Sequence, residues 1–202
     1  MLDNFELIKP FFDDVGHYTF LHCQIVQRAK EHPNEKITES AINHYLFRSW
    51  EHLLSKRDEI IALCELYGAR AYINLSPKSY ENVNKEALAE LAKGVVYKWI
   101  GSRDPHKLIH HILGSIKGRP QKWMIDIDDI SLEEKVLQYL KKKDKQFATN
   151  TILYAKIPTV HGEHLIVSPF NRKAFEEVFP EVDVHPNSMG TLLYYPNKLD
   201  HG

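Results

Sequence analysis

At 202 residues, 43% hydrophobic and 11% aromatic, the chain can bury a core as one domain or as one domain with an added lobe, which excludes a disordered or fibrous protein. Its formal net charge of -1 means that any nucleic-acid partner must be met by local basic patches and not by a global positive field. Only Cys23 and Cys64 are present, at no metal-ligand spacing, and no run of about 18 apolar residues occurs; the expected setting is the reducing cytoplasm, with no disulfide scaffold and no membrane partner.

From His17, "HYTFLHCQIVQRAKEHP" is rich in aromatic and β-branched residues and reads as a long strand with a polar turn at Pro33, and "SAINHYLFRS" supplies an antiparallel partner. Between Ser49 and Tyr67, Leu53, Leu54, Ile60, Ile61, Leu63 and Cys64 fall at helical spacings, and Gly68 stands where a left-handed C-terminal cap belongs. "ARAYINLS" alternates Ala69, Ala71, Ile73 and Leu75 against Arg70, Tyr72 and Asn74, the pattern of a strand with one apolar face. The next helix, over "SYENVNKEALAELAKGVVYKW", is expected to turn Leu88, Leu91, Val95 and Trp99 to a core, with Gly94 weakening its middle. Residues 101–120 read as a flexible connection containing His110, His111 and the basic loop "GSIKGRP"; a phosphate cradle is the sharper reading, but the spacing is not that of a P-loop.

"KWMIDIDDIS", Lys122 to Ser131, then places three aspartates at the end of a short apolar run. On a strand, Asp126 and Asp128 share one face while Ile125 and Ile127 take the other, and two carboxylates on one strand face suit a hard divalent cation. The bland reading is an acidic strand end, followed by a capping box of Ser131 and Glu134 that opens a helix from Leu132 to about Lys143. Lys141, Lys142, Lys143 and Lys145 complement that helix's end. Strands over "TNTILYAKIPT", "HGEHLIVSPF", "EVDVHP" and "TLLYYP", with a short helix at "NRKAFEEVF", complete an α+β pattern. The expected fold is an RRM- or ferredoxin-like antiparallel or mixed sheet with helices on one face over 69–202, on which a hairpin and helix over 1–68 pack. If its strands are neighbours, Asp126, Asp128, His164 and Asp183 meet on one open face.

The strand "WMIDID", followed by a Gly-x-His turn and strand, "GEHLIVSPF", and by a further acidic strand, "VDVHP", resembles the catalytic core of the archaeo-eukaryotic primase superfamily, in particular small phage- and plasmid-type primase-polymerase domains. The likeness covers roughly Ala69 to Pro196. It implies that Asp126, Asp128 and Asp183 bind Mg²⁺ or Mn²⁺ and that His164 contacts a nucleotide's phosphates, with Glu181 competing with Asp183 in the third motif. The implied activity is metal-dependent nucleotidyl transfer from nucleoside triphosphates on a single-stranded or primed nucleic acid, with a helicase or other replication protein as a partner. Arg70, Lys78 and Ser168 are further candidates for nucleotide contact, and Lys117, Arg119, Lys122 and the lysines after Tyr139 for local handling of a nucleic-acid backbone, unless a partner supplies it. The residues also admit a silent binder of nucleotide or nucleic acid, an unrelated ferredoxin-like interaction protein, and a zinc site from His161, His164 and His185.

Overall fold

The computed structural model describes residues 1–32, 40–99, 101, 104–141, 151–186 and 190–196. In chain order these form β1 (Leu2–Asp3), α1 (Phe5–Ile8), β2 (Thr19–Gln27), β3 (Ser40–Phe47), α2 (Trp50–Tyr67), β4 (Arg70–Ile73), β5 (Lys78–Ser79), α3 (Tyr80–Val96), α4 (Pro105–Ser115) and β6 (Trp123–Ile127). There follow α5 (Glu133–Lys141), β7 (Leu153–Pro158), β8 (Glu163–Val167), α6 (Arg172–Val178), β9 (Asp183–His185) and β10 (Thr191–Tyr195). The strands pair antiparallel into two sheets, β1-β10-β4-β2-β3 with β5 beside β2, and β7-β8-β6-β9, so the expected α+β class is the one observed. The strand pairing crosses the boundary expected after Gly68, because β4 lies between β2 and β10 in the first sheet.

The helix expected from Ser49 onward is α2. The Ser49 side chain accepts the His52 amide at its start, and Gly68, at φ 55°, ends it in the left-handed region open to glycine, donating its amide to Cys64. Its Leu53, Ile60 and Cys64 join Cys23, Ile25, Phe47, Ala71 and Ile73 in the core on one face of the first sheet. Met124, Ile157 and Ile166 of the second sheet enter the same core, and the Asn4 amide binds the carbonyls of Pro158 and Leu192, each at 2.9 Å, which ties the two layers together.

Two expectations fail in the middle of the chain. Leu88, Leu91 and Val95 are not core residues; they are 71%, 42% and 65% exposed. The chain reverses at Lys98, and the Trp99 ring comes back against Gly94, where an added Cβ would lie 3.0 Å from it. Glycine thus selects the buried face of α3, and Trp99 joins Phe20, Val83 and Ile112 in a separate core. Residues 101–120, expected as a flexible connection, contain α4, whose Leu108, Ile112 and Leu113 fill that core. The "GSIKGRP" loop is fastened, not free: the Arg119 amide donates to the Pro77 carbonyl at 2.8 Å, and a Cβ on Gly118 would fall 2.1 Å from the Ser76 carbonyl oxygen.

In the second sheet, Ile125, Ile127, Leu165, Val167, Val182 and Val184 face α5 and α6, packing on Val136, Leu140, Phe175 and Phe179. Helices therefore cover one face of this sheet, as its alternation requires. The helix start differs in detail. Asp129 accepts the Ser131 amide and caps a 3-10 turn over Ile130–Leu132, so Ser131 lies inside that turn. Of the lysine cluster, Lys142, Lys143 and Lys145 lie outside the described residues. Among the described residues no helix is long and apolar enough to cross a membrane.

Candidate functional site

The central pair of the second sheet sets the geometry. Asp126 on β6 stands opposite His164 on β8 and opposite Asp183 on β9. Directly opposed residues of antiparallel strands share a face, with Cβ atoms about 4.5–5.5 Å apart, so two carboxylates flank one another and an imidazole adjoins them. Met124 opposes His185, which therefore joins the same face. Asp128 is two residues beyond Asp126, where β6 has just ended, and Glu181 precedes β9 in an exposed turn, leaving Asp183 as the aligned carboxylate.

The turn before β8 depends on Gly162. An added Cβ there would come 1.8 Å from the Ile127 carbonyl oxygen, so only glycine lets the turn close over the end of β6. That turn is held by the Thr159 amide on the Gly162 carbonyl at 2.9 Å and the Gly162 amide on the Thr159 hydroxyl at 3.0 Å. It delivers His164 to the buried position beside Asp126.

His164 Nδ1 lies 2.8 Å from the Thr191 hydroxyl and Nε2 lies 3.6 Å from Asp126 Oδ1. Burial, then the charge of His185, pushes its pKa down to about 4, so the ring is neutral at pH 7. The carboxylate beside Nε2 favours the tautomer with its proton there, the Thr191 hydroxyl donating to Nδ1. Burial also raises the pKa of Asp126, and the charges of Asp128 and Asp183 raise it further against the opposing pull of His185 and Arg28. Among the described residues neither Asp128 nor Asp183 has a hydrogen-bond or ion-pair partner. The face is thus an accumulation of like charge with a neutral donor beside it.

No three His, Cys, Asp or Glu side chains among the described residues converge closely enough to hold a metal ion by themselves; this covers the expected triad Asp126, Asp128 and Asp183 as well as His161, His164 and His185. The aspartates fit a different kind of cation site. Magnesium-type ions take one or two carboxylates and complete their shell with water and substrate phosphates, and the mutual repulsion at Asp126 is what such an ion relieves.

The remaining candidates are distributed elsewhere. Lys78 is buried, and its ammonium donates to the Leu113 carbonyl; burial lowers its pKa to about 8. Lys122 is buried too, 2.5 Å from Asp14 Oδ2. The Ser168 hydroxyl accepts the Ile152 amide at 2.8 Å. Arg70 pairs with Glu31 and lies over the Tyr195 ring at 4.5 Å. Lys117 and Arg119 are exposed. Thr191 carries no signal in the sequence, since it reaches His164 from a segment distant in the chain.

No family model, curated protein or solved structure matches the chain.

Proposed function

We propose that the chain is a metal-dependent nucleotidyltransferase of the primase-polymerase type, acting on nucleoside triphosphates and a single-stranded or primed nucleic acid. The observation that carries this reading is the in-register placement of Asp126 between His164 and Asp183, with the charge of Asp128 acting on Asp126. Asp126, with Asp183 or Asp128 as a second carboxylate and water and substrate phosphates completing the shell, would hold Mg²⁺ or Mn²⁺, which would supply charge stabilisation on the attacking and leaving oxygens of the transferred phosphoryl group. His164, neutral and fixed by Thr191, directs Nε2–H at a phosphate oxygen, where a hydrogen bond to a charged group contributes about 1.5–3 kcal/mol. Backing by α5 and α6 keeps these groups on a rigid sheet, so little reorganisation is required when substrate arrives.

A catalytically silent nucleotide or nucleic-acid binder is the second reading, favoured by the fact that Lys78 and Lys122 are buried and committed to protein partners. Handling of a template then falls to Lys117, Arg119 or a partner such as a helicase. Labelled-nucleotide incorporation on a primed single-stranded template, in Mg²⁺ and in Mn²⁺, separates the two readings. Salt-sensitive incorporation that vanishes in Asp126→Ala supports the enzyme. Nucleotide binding with no incorporation under any of these conditions supports the silent binder.

A further inference from the structure

The apolar stripe that α3 turns away from the core has an order of its own. Ser79 caps the helix by accepting the Asn82 amide, and Tyr80, Val83, Ala87 and Gly94 take the side that meets the core of Phe20, Ile112 and Trp99. At 3.6 residues per turn, a second line of residues lies about a quarter-turn round the helix from that side: Glu81, Asn84, Leu88, Leu91, Val95 and, just past the helix end, Lys98. Their spacings alternate between three and four residues, which is the a and d seam of a coiled coil. All of them are exposed, and Leu91 is the least exposed of the apolar three because it stands nearest the buried side.

Charge is ordered along this seam as well: it begins on an acid, ends on a base and holds its apolar residues between them. A second copy running antiparallel, with the two-fold axis between Ala89 and Glu90, sets Leu88 against Leu91, Asn84 against Val95 and Glu81 against Lys98 at both ends. A parallel copy sets Glu81 against Glu81 and Lys98 against Lys98. Sliding the antiparallel copy by one heptad sets Leu91 against Glu81 or Leu88 against Lys98, a charge against leucine in either direction. The antiparallel pairing also brings the N-terminus of each helix beside the C-terminus of the other, where the two dipoles attract. Glu81 loses little by turning to Lys98 of the second copy, because its contact with Lys85 joins two exposed side chains of the same helix. A formal net charge of -1 leaves little repulsion between copies.

We propose that the chain forms a homodimer through α3, two copies packing antiparallel along residues 81–98 with Leu88 and Leu91 at the centre and Glu81–Lys98 pairs closing both ends. The dimer is independent of the nucleotide chemistry read at the aspartate face. Its interface stands at the small end for a specific one, since a helix of 17 residues is about 25 Å long and the seam offers only Leu88, Leu91 and Val95 as apolar contacts from each copy. Association is therefore reversible, with half-dimerisation on the order of tens of micromolar. Folding of the monomer does not depend on it, because those three side chains belong to none of the cores described above.

The test is sedimentation velocity on the full chain from about 1 to about 100 µM, where wild type is expected to pass from monomer to dimer. Leu88→Gln/Leu91→Gln is expected to stay monomeric throughout, while melting at about 1 µM as wild type does, which separates a lost interface from a lost fold. Glu81→Lys and Lys98→Glu are each expected to weaken the dimer about fivefold or more, since each sets like charges together at both ends, and Glu81→Lys/Lys98→Glu to restore it. Wild type that remains monomeric at the highest concentration overturns the proposal and leaves the seam to a helix of a different protein. A dimer that survives the double leucine change uses another surface and overturns it as well. So does a dimer that the leucine change removes but that the combined charge exchange fails to restore, because the copies are then not antiparallel in this register.

Discussion

His164 and His185 on the second sheet can be set against His22 and His44 on the first. Both pairs have a buried imidazole with a strongly lowered pKa: about 4 for His164, about 3 for His22 and about 4 for His44. In the first sheet, His22 Nε2 lies 2.9 Å from His44 Nδ1, and His110 of α4 stacks over His44 with ring centroids 3.5 Å apart. Burial is the main cause there, with the Lys78 charge adding to it at His22. No aspartate or glutamate charge contributes to the shift of these rings or of His164, and α4 covers His44 through His110. In the second sheet His164 Nε2 lies 3.6 Å from Asp126, whose own carboxylate is opposed by the charges of Asp128 and Asp183. A perturbed histidine is thus common to both regions, and the uncompensated charge of a single sign is what separates a candidate site from a buried polar contact.

The sharpest test of that contrast is removal of the charge. On the proposed nucleotidyl transfer, Asp126→Ala is expected to lower nucleotide incorporation by about 10³-fold or abolish it, since it takes away a carboxylate that would hold the charge-stabilising cation. Asp126→Asn should do the same while raising the melting temperature, because it relieves repulsion from Asp128 and Asp183; a fall in melting temperature would contradict the electrostatic account. The turn that presents His164 comes next: Gly162→Ala should cost about 1–3 kcal/mol in urea denaturation, because its methyl has no room beside Ile127.

Acid exposes the two histidine groups together. With folded pKa values pushed below 6.5, the unfolded chain binds more protons than the folded chain from about pH 6.5 down to about pH 4, so stability present above that window is lost as the pH falls through it. Asp126, shifted upward, works in the opposite sense over the lower part. A drop in melting temperature of about 5 °C or more between pH 7 and pH 5 is expected. His44→Leu should flatten that profile and leave nucleotide affinity unchanged, whereas His164→Asn should flatten it less and weaken nucleotide binding about tenfold. The smallest effect belongs to the exposed side of α3, where Leu88→Gln should change stability by no more than about 0.5 kcal/mol.

The parts of this structure that local pattern determines were readable in the sequence. Ser49 and Gly68 mark both ends of α2, and strand parity puts Asp126, His164 and Asp183 on one face, which the pairing β8-β6-β9 then brings together. Facing of α3 was not readable, because its Leu88-Leu91-Val95 stripe has helical spacing whether or not anything covers it; the decision rests on Gly94 and the returning Trp99. Lys78 and Lys122 look like surface cations until Leu113 and Asp14, distant in sequence, arrive as their partners.

The place of β10 beside β4 has a consequence for how the chain comes to be made. β4 pairs with β2 early in the sequence but waits for Thr191–Tyr195 to cover its other side. During vectorial synthesis the hairpin of β2 and β3, with α2 behind it, can form while more than a hundred residues are still to be added, leaving β4 as an open edge able to accept any passing strand. The last of the described strands to emerge is therefore the one that covers β4 in the first sheet and also carries Thr191 to His164. Nascent chains arrested before residue 191 should lack the ordered imidazole and recruit holdase chaperones through that edge, whereas release past residue 196 should complete both sheet and site in one late event.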